Sequence, residues 1–201
     1  MDKKIIIGFT GSHATGKTTM AKEFLREYPD GIEVCTEGTR EVATEMRIES
    51  IKNIKPHQWQ EFEDLILEHH LQNIHKFNTS DKEILICDRT IFDIYAYSIL
   101  RNNFLSQNYL NTLDKMCKET TFYKQLWYFP IIPIPDKDKD DGFREIKNQK
   151  QIDAILKGIL VNSPYGYPVN LVPRGNRPLE ERKQYIEYVL QFHLNAVRLK
   201  K

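Results

Sequence analysis

The most restrictive feature of this sequence is a short glycine-containing stretch that follows the pattern G-x-x-x-x-G-K-[ST], and it reads Gly11-Ser12-His13-Ala14-Thr15-Gly16-Lys17-Thr18. An apolar run, 4–9, comes directly before it, and a run of good helix formers, 17–28, begins at its last residues. This context predicts a β-strand that turns through the glycines directly into a helix. Such a unit is typical of α/β folds.

The same pattern is the Walker A or P-loop pattern, which predicts binding of a nucleoside triphosphate. Glycines let the backbone curl so that N–H groups point at phosphate oxygens, and the following helix adds the positive end of its dipole. Lys17 is predicted to reach the β- and γ-phosphates, and the Thr18 hydroxyl to ligate Mg²⁺, with Thr19 assisting at the helix start. The plain alternative is a glycine turn with an incidental lysine. The expected ligands are ATP and Mg²⁺, while hydrolysis, phosphoryl transfer and switching all stay open.

Apolar runs of strand length alternate with segments of helical period, which predicts a parallel sheet covered by helices. Helices are expected over 17–28, from Trp59 to Phe77, from the stretch 140–145 to about Leu160, and from Leu179 onwards. The length of 201 residues favours a single domain, 1–201. The predicted strands lack strict alternation and are therefore expected to be buried on both faces; they are 4–9, 32–36, 84–87, 125–131 and 168–172.

Composition restricts the partners and the compartment. With 29 basic and 28 acidic residues the net charge is +1, so no long nucleic-acid footprint is expected, although a local basic patch stays open. The cysteines follow no pairing or C-x-x-C spacing and are interpreted as buried thiols of a reducing compartment; they are Cys35, Cys87 and Cys117. No apolar run has the length of a signal peptide core or a membrane span. The sequence therefore predicts a cytoplasmic protein with no membrane partner.

Asp88 and Arg89 directly follow the apolar run 84–87. A carboxylate at the end of a strand beside a P-loop can hold Mg²⁺ directly or through water. The guanidinium of Arg89 provides rigidly oriented hydrogen-bond donors for a phosphate or for a phosphoryl acceptor. The alternative is a salt bridge at the strand end with no ligand.

These residues resemble the nucleoside and nucleotide kinase branch of P-loop proteins, especially thymidylate kinases, deoxynucleoside kinases and nicotinamide riboside kinase-like ATPase domains. Thymidylate kinases carry an Asp-Arg-Tyr element followed by a helix with Ser, Ala and Tyr; here Asp88-Arg89-Thr90 is followed by Asp93, Ala96 and Tyr97. The resemblance implies a three-layer fold with sheet order 2-3-1-4-5, and acceptor contacts from Arg89, Asp93 and Tyr97.

The resemblance extends to further residues outside the P-loop. Glu37 and Arg40 stand where such kinases place an acidic residue and an arginine facing the acceptor, although a helix start with Thr36 or Thr39 as its cap explains them equally well. Arg144 lies in a stretch resembling a lid, about 136–150, that closes over the triphosphate. Its alternative is a surface arginine at a helix start. Arg174 resembles part of an adenine cradle, or belongs to an ordinary turn.

Together these features predict in-line transfer of the γ-phosphoryl group of ATP to a nucleoside, a nucleotide or a related small molecule. In this hypothesis Lys17, Arg89 and Arg144 stabilise the developing charge, and Glu37 or Asp88 acts on the acceptor. A kinase acting on a hydroxyl of DNA or RNA is an alternative, as is an ATPase or switch without a small acceptor. The sequence leaves open the acceptor, the choice between ATP and GTP, and the oligomeric state, including a homodimer.

Overall fold

A computed structural model of the chain describes residues 4–36, 38–131, 148–166, 169–173 and 177–198, with side chains in the last helix described as far as residue 191. The predicted residues Glu37, Arg144 and Arg174 lie outside these ranges, as does most of the predicted lid.

The centre of the fold is a five-stranded parallel sheet in the order β2-β3-β1-β4-β5. This confirms the predicted strand order. The fourth and fifth strands are shorter than the runs 125–131 and 168–172 had indicated. The strands are β1 Ile5–Thr10, β2 Ile32–Cys35, β3 Ile84–Asp88, β4 Gln125–Tyr128 and β5 Asn170–Leu171.

Helices connect and cover these strands, and short 3₁₀ turns lie at Ile51–Asn53, Pro56–Gln58 and Asn102–Phe104. One of the helices, at 107–119, had not been predicted, although its buried residues Tyr109, Leu113 and Cys117 repeat at intervals of four. The α-helices are α1 Lys17–Glu27, α2 Thr39–Glu45, α3 Trp59–Phe77, α4 Ile91–Leu100, α5 Gln107–Glu119, α6 Gln149–Val161 and α7 Leu179–Arg198.

The apolar core divides into two clusters, one on each face of the sheet, which makes the fold three-layered. In β3, Leu85 and Cys87 belong to one cluster and Ile84 and Ile86 to the other, as alternation along a strand requires. The first cluster packs under α2 to α6 and the second under α1 and α7. Both faces of the central strand β3 are therefore buried, as predicted, whereas both residues of the edge strand β5 are exposed, contrary to the prediction. All cysteines are free and buried, which confirms their interpretation as core thiols.

The sheet places the phosphate-binding loop next to the predicted residues Asp88 and Arg89. Phe9 of β1 is the register partner of Asp88 of β3, and the N–H of Arg89 donates to the Phe9 carbonyl at 3.1 Å. The turn after β1 and the turn after β3 are thus neighbours at the carboxyl ends of their strands, where ligands of open α/β sheets bind. Among the described helices, none combines the length and the apolar character needed to cross a membrane.

Candidate functional site

The loop from Gly11 to Gly16 has a backbone that requires glycine at both ends. Gly11 has φ of 149°, and a Cβ placed there would lie 2.4 Å from the carbonyl oxygen of Phe129. Gly16 has φ of 91° and occupies the N-cap position of α1 in the left-handed region. Both fixed glycines of the sequence pattern therefore have a physical cause.

Lys17 holds the loop from within. Its ammonium donates to the carbonyl oxygens of Gly11 at 2.6 Å and Ser12 at 2.8 Å, and the residue is only 4% exposed. The Thr15 hydroxyl also donates to the Ser12 carbonyl, at 3.0 Å. These bonds fix the curvature of the loop and place a positive charge inside it.

Two helices distant in sequence hold the outer side of the loop. The side-chain amide of Gln149 in α6 donates to the His13 carbonyl at 2.8 Å, and the guanidinium of Arg182 in α7 donates to the Thr15 carbonyl at 3.1 Å. No sequence motif had pointed to either residue. The only available signal was the position of Arg182 on the same helical face as Leu179 and Ile186.

Asp93 supports the loop from α4. One carboxylate oxygen accepts from the Gly11 N–H at 2.9 Å, and the other accepts from the N–H and hydroxyl of Thr90, at 2.9 and 2.8 Å, as a capping box for α4. The side chain is almost fully buried. These contacts favour a positioning role for Asp93 over the direct acceptor contact that the resemblance implied.

Tyr97 joins the loop to a group of cations. Its hydroxyl accepts from the His13 N–H at 3.1 Å and bonds to the His13 Nδ1 at 2.9 Å. The Arg89 guanidinium lies 4.8 Å from the ring centroid and that of Arg101 lies 5.6 Å from it. Two predicted residues, Tyr97 and Arg89, are therefore in direct contact.

Arg101 is fixed by partners that the sequence had not indicated. Glu63, which is 1% exposed, forms an ion pair with Arg101 and accepts from the Ser98 hydroxyl at 3.2 Å. The Arg101 guanidinium also lies 4.4 Å from the ring centroid of Trp59. Paired on one side with a carboxylate and on the other with rings, Arg101 forms a rigid wall.

A cavity of about 260 Å³ opens between this wall and the loop. It lies between the start of α6, the end of α4 and the 3₁₀ turn at 51–53, and His13 brings the loop itself into the lining. Its lining residues are His13, Ile51, Tyr97, Leu100, Arg101, Asn148, Gln151 and Ile152.

Asp88 and Arg89 form the other side of the site. Asp88 ends β3 and is 7% exposed, and Arg89 has φ of 89°, a left-handed conformation that is rare for residues with a side chain. Strained residues of this kind cluster at functional sites, where the surrounding structure holds them.

The chemistry of the loop fits a polyphosphate with Mg²⁺. Within the described ranges, the hydroxyl oxygens of Thr10 and Ser12 are buried without a hydrogen-bond partner, which is unfavourable unless a further polar group satisfies them. The described residues contain no group of three or more His, Cys, Asp or Glu side chains arranged to hold a metal. Mg²⁺ needs no such group, because beside a nucleotide it takes one or two protein oxygens, phosphates and waters. Thr18, which is exposed, and Asp88 are the predicted oxygen donors.

The remaining predicted residues lie at the rim of the site. Thr18 and Thr19 are exposed in the first turn of α1, and Arg40 is exposed in the first turn of α2. The N-cap of α2 is Gly38 in the left-handed region with no side-chain cap, so neither Thr36 nor Thr39 caps it as the alternative had supposed.

Comparisons with known proteins agree with this architecture. The family model described as the AAA domain matches residues 6–182. No curated protein matches the chain in sequence.

Several solved structures share the fold at low identity. A NadR protein in complex with NAD and AMP-PNP is 16% identical with a TM-score of 0.65, and the match covers 94% of this chain but 49% of that one. Thymidylate kinase from Candida albicans is 13% identical with a TM-score of 0.66, covering 96% and 93%. Deoxyadenosine kinase from M. mycoides, with dCMP and dCDP bound, is 14% identical with a TM-score of 0.66, covering 93% and 99%. The chain thus spans about half of the NadR protein and nearly all of the two kinases. The predicted likeness to P-loop nucleotide kinases is confirmed at the level of the fold.

Proposed function

This chain belongs to the AAA domain family, and we propose that it is a kinase that transfers the γ-phosphoryl group of ATP to a nucleoside, a nucleotide or a related small molecule. The observation that carries the proposal is the cavity of about 260 Å³ beside the P-loop, because His13 belongs to the loop and also lines the cavity. The proposed donor site and the proposed space for an acceptor thereby adjoin each other.

The donor half of the proposed site consists of the loop, Lys17, Thr18 and Asp88. Lys17 is proposed to supply a cation for the β- and γ-phosphates, and the Thr18 hydroxyl and the Asp88 carboxylate are proposed to hold Mg²⁺. Bound Mg²⁺ would neutralise charge on the phosphates. The buried hydroxyl oxygens of Thr10 and Ser12 support a ligand with many acceptor oxygens.

The acceptor half is proposed to be the cavity and the residues around Tyr97. The ring and hydroxyl of Tyr97 link the cavity to Arg89, whose guanidinium is proposed to stabilise charge on the transferred group or bind the acceptor. The general base is proposed to be Asp88 or Glu37, and Arg40 a further acceptor contact. Closure by Arg144 and contact of Arg174 with the adenine are likewise proposals.

The relatives support this substrate class. The NadR structure contains AMP-PNP, an ATP analogue, and the deoxyadenosine kinase structure contains dCMP and dCDP. Both folds superpose on more than nine tenths of this chain, with coverage of 94% and 93%.

Replacing Tyr97 by phenylalanine tests the link between the loop and the cavity. The variant leaves the His13 N–H and Nδ1 without their oxygen partner, so kcat/KM for transfer should fall by roughly tenfold, the equivalent of about 1–1.5 kcal/mol. Steady-state kinetics with the best acceptor measures this.

Tyr95→Phe is the matched control, because Tyr95 lies on the same helix but lines a different cavity, between α4, α5 and α6. Its kcat/KM should stay within about twofold of the unmodified enzyme. Equal losses in both variants would contradict a specific role for Tyr97.

The function itself is tested with labelled ATP, Mg²⁺ and panels of nucleosides, nucleoside monophosphates and oligonucleotides. Label on a small acceptor supports the proposal, and label on an oligonucleotide would instead favour a polynucleotide kinase. Release of free phosphate at a rate that no acceptor changes would reject the kinase in favour of an ATPase or switch.

A further inference from the structure

Arg182 is a buried cation that touches the phosphate-binding loop from outside. It belongs to the first turn of α7 and is 4% exposed. One guanidinium nitrogen donates to the Thr15 carbonyl, and another lies 3.2 Å from where a Cβ on Gly16 would be. The guanidinium carbon lies 5.6 Å from the ring centroid of Phe129. The side chain is therefore fixed between the loop and the core.

The charge of Arg182 lacks a carboxylate partner in the part of the chain that the structure describes. No ion pair involves it there, and its Nε is buried without a hydrogen-bond partner. Burial lowers the pKa of its guanidinium. An arginine nevertheless stays protonated in proteins, so the positive charge persists.

The next residue shows the ordinary arrangement of a buried cation. Lys183 is 6% exposed and pairs with Glu27 at 2.7 Å and Glu180 at 3.3 Å. Hydrogen bonds to these carboxylates raise the pKa of Lys183, the Glu27 bond most strongly. The start of α7 thus carries two buried cations, and among the described residues carboxylates pair with Lys183 but not with Arg182.

A buried charge without a counter-charge is unfavourable, and its cost falls when an anion comes close. The loop that Arg182 contacts is the proposed site of a polyphosphate. We propose that Arg182 is a positioning residue for the donor polyphosphate, acting through the Thr15–Gly16 turn, and that the bound phosphates supply the counter-charge that the described residues do not provide. This inference rests on the donor half of the proposed function.

Polyphosphate binding should depend on Arg182 but not on Lys183. Arg182→Gln should weaken binding to the full-length protein of both MgATP and magnesium tripolyphosphate by about tenfold or more, as expected for a lost charge-assisted interaction. Arg182→Lys keeps the charge and should stay within about threefold of the unmodified protein. Tripolyphosphate lacks a base, so an equal loss for both probes assigns the effect to the phosphates. Titration calorimetry gives the dissociation constants.

Melting temperature without nucleotide provides the second measurement. Lys183→Gln removes the ion pair between Lys183 and Glu27 and should lower the melting temperature, with binding of either probe changed by less than about twofold. Arg182→Gln removes an uncompensated charge and should lower the melting temperature less than Lys183→Gln does.

The outcomes separate this inference from the function on which it rests. If the unmodified protein binds MgATP and tripolyphosphate while Arg182→Gln binds them equally well, the role of Arg182 is wrong and the donor site stands. A loss confined to MgATP would also reject it, since the effect would then lie with the adenosine and not with the phosphates. An unmodified protein that binds neither probe would overturn both proposals.

Discussion

Replacing Lys17 by alanine is expected to lower the rate of phosphoryl transfer by roughly hundredfold or more. The ammonium lies inside the loop, and we propose that it stabilises the negative charge that develops on the β- and γ-phosphates during transfer. Because this charge is greatest in the transition state, loss of the ammonium should lower the rate. The variant should also lose nucleotide binding. A ligand at a hundred times its dissociation constant stabilises a protein by about 2.7 kcal/mol, and Lys17→Ala should show almost none of this shift.

Lys22→Ala is the matched control for that variant. Lys22 is an exposed lysine on the same helix, α1, and its loss should leave the transfer rate and the ATP-dependent shift within about twofold. Full transfer activity in Lys17→Ala would exclude the P-loop mechanism. A variant that has lost its melting transition without nucleotide would show that the protein needs Lys17 to fold, through its bonds to Gly11 and Ser12.

The donor loop could be predicted from sequence because its interactions are local. Gly11, Gly16 and Lys17 lie within seven consecutive residues, and the Lys17 bonds span only 5 and 6 residues. The conformation of the loop can therefore be predicted from the sequence pattern alone. Asp88 and Arg89 could be placed beside the loop because β1 and β3 are neighbouring parallel strands whose ends coincide.

The outer support of the loop could not be predicted for the opposite reason. Gln149 is 136 residues from His13 in sequence, and Arg182 is 167 residues from Thr15. Each is one polar residue on an amphipathic helix, where most polar residues face solvent. Only the packing of α6 and α7 against the sheet reveals that these two face inward. The same holds for Glu63 and Arg101, which are buried as a pair although either alone is typical of a surface.

On the proposed acceptor side, the resemblance identified the helix that contributes to the site but not the role of each residue on it. The spacing of Asp88, Asp93 and Tyr97 indicated a helix that contributes to the site, and α4 does so. Tyr97 faces the cavity, but the carboxylate of Asp93 is used by the backbone of α4 and of the loop. The residue type at Asp93 was compatible with both roles, and only its hydrogen bonds separate them.

Replacing Asp93 by alanine is therefore expected to affect folding before it affects chemistry. The change removes the acceptor of the Gly11 N–H and of the N–H and hydroxyl of Thr90, and the side chain is 1% exposed, so water cannot replace it without rearrangement. Unsatisfied buried donors and a lost helix cap together predict a free energy of unfolding lower by about 3–5 kcal/mol. Denaturant unfolding measures it.

Two further variants decide whether this support is the role of Asp93. Asp93→Asn keeps one oxygen acceptor and should lose about half as much stability, whereas Asp114→Ala removes a partly exposed carboxylate paired with Lys118 and should change the stability by less than about 0.5 kcal/mol. Because Asp93 fixes the first N–H of the loop, folded Asp93→Asn should bind ATP more weakly while its KM for the acceptor changes little. An Asp93→Ala protein of undiminished stability, with a raised acceptor KM alone, would instead establish the direct acceptor contact that the resemblance had implied.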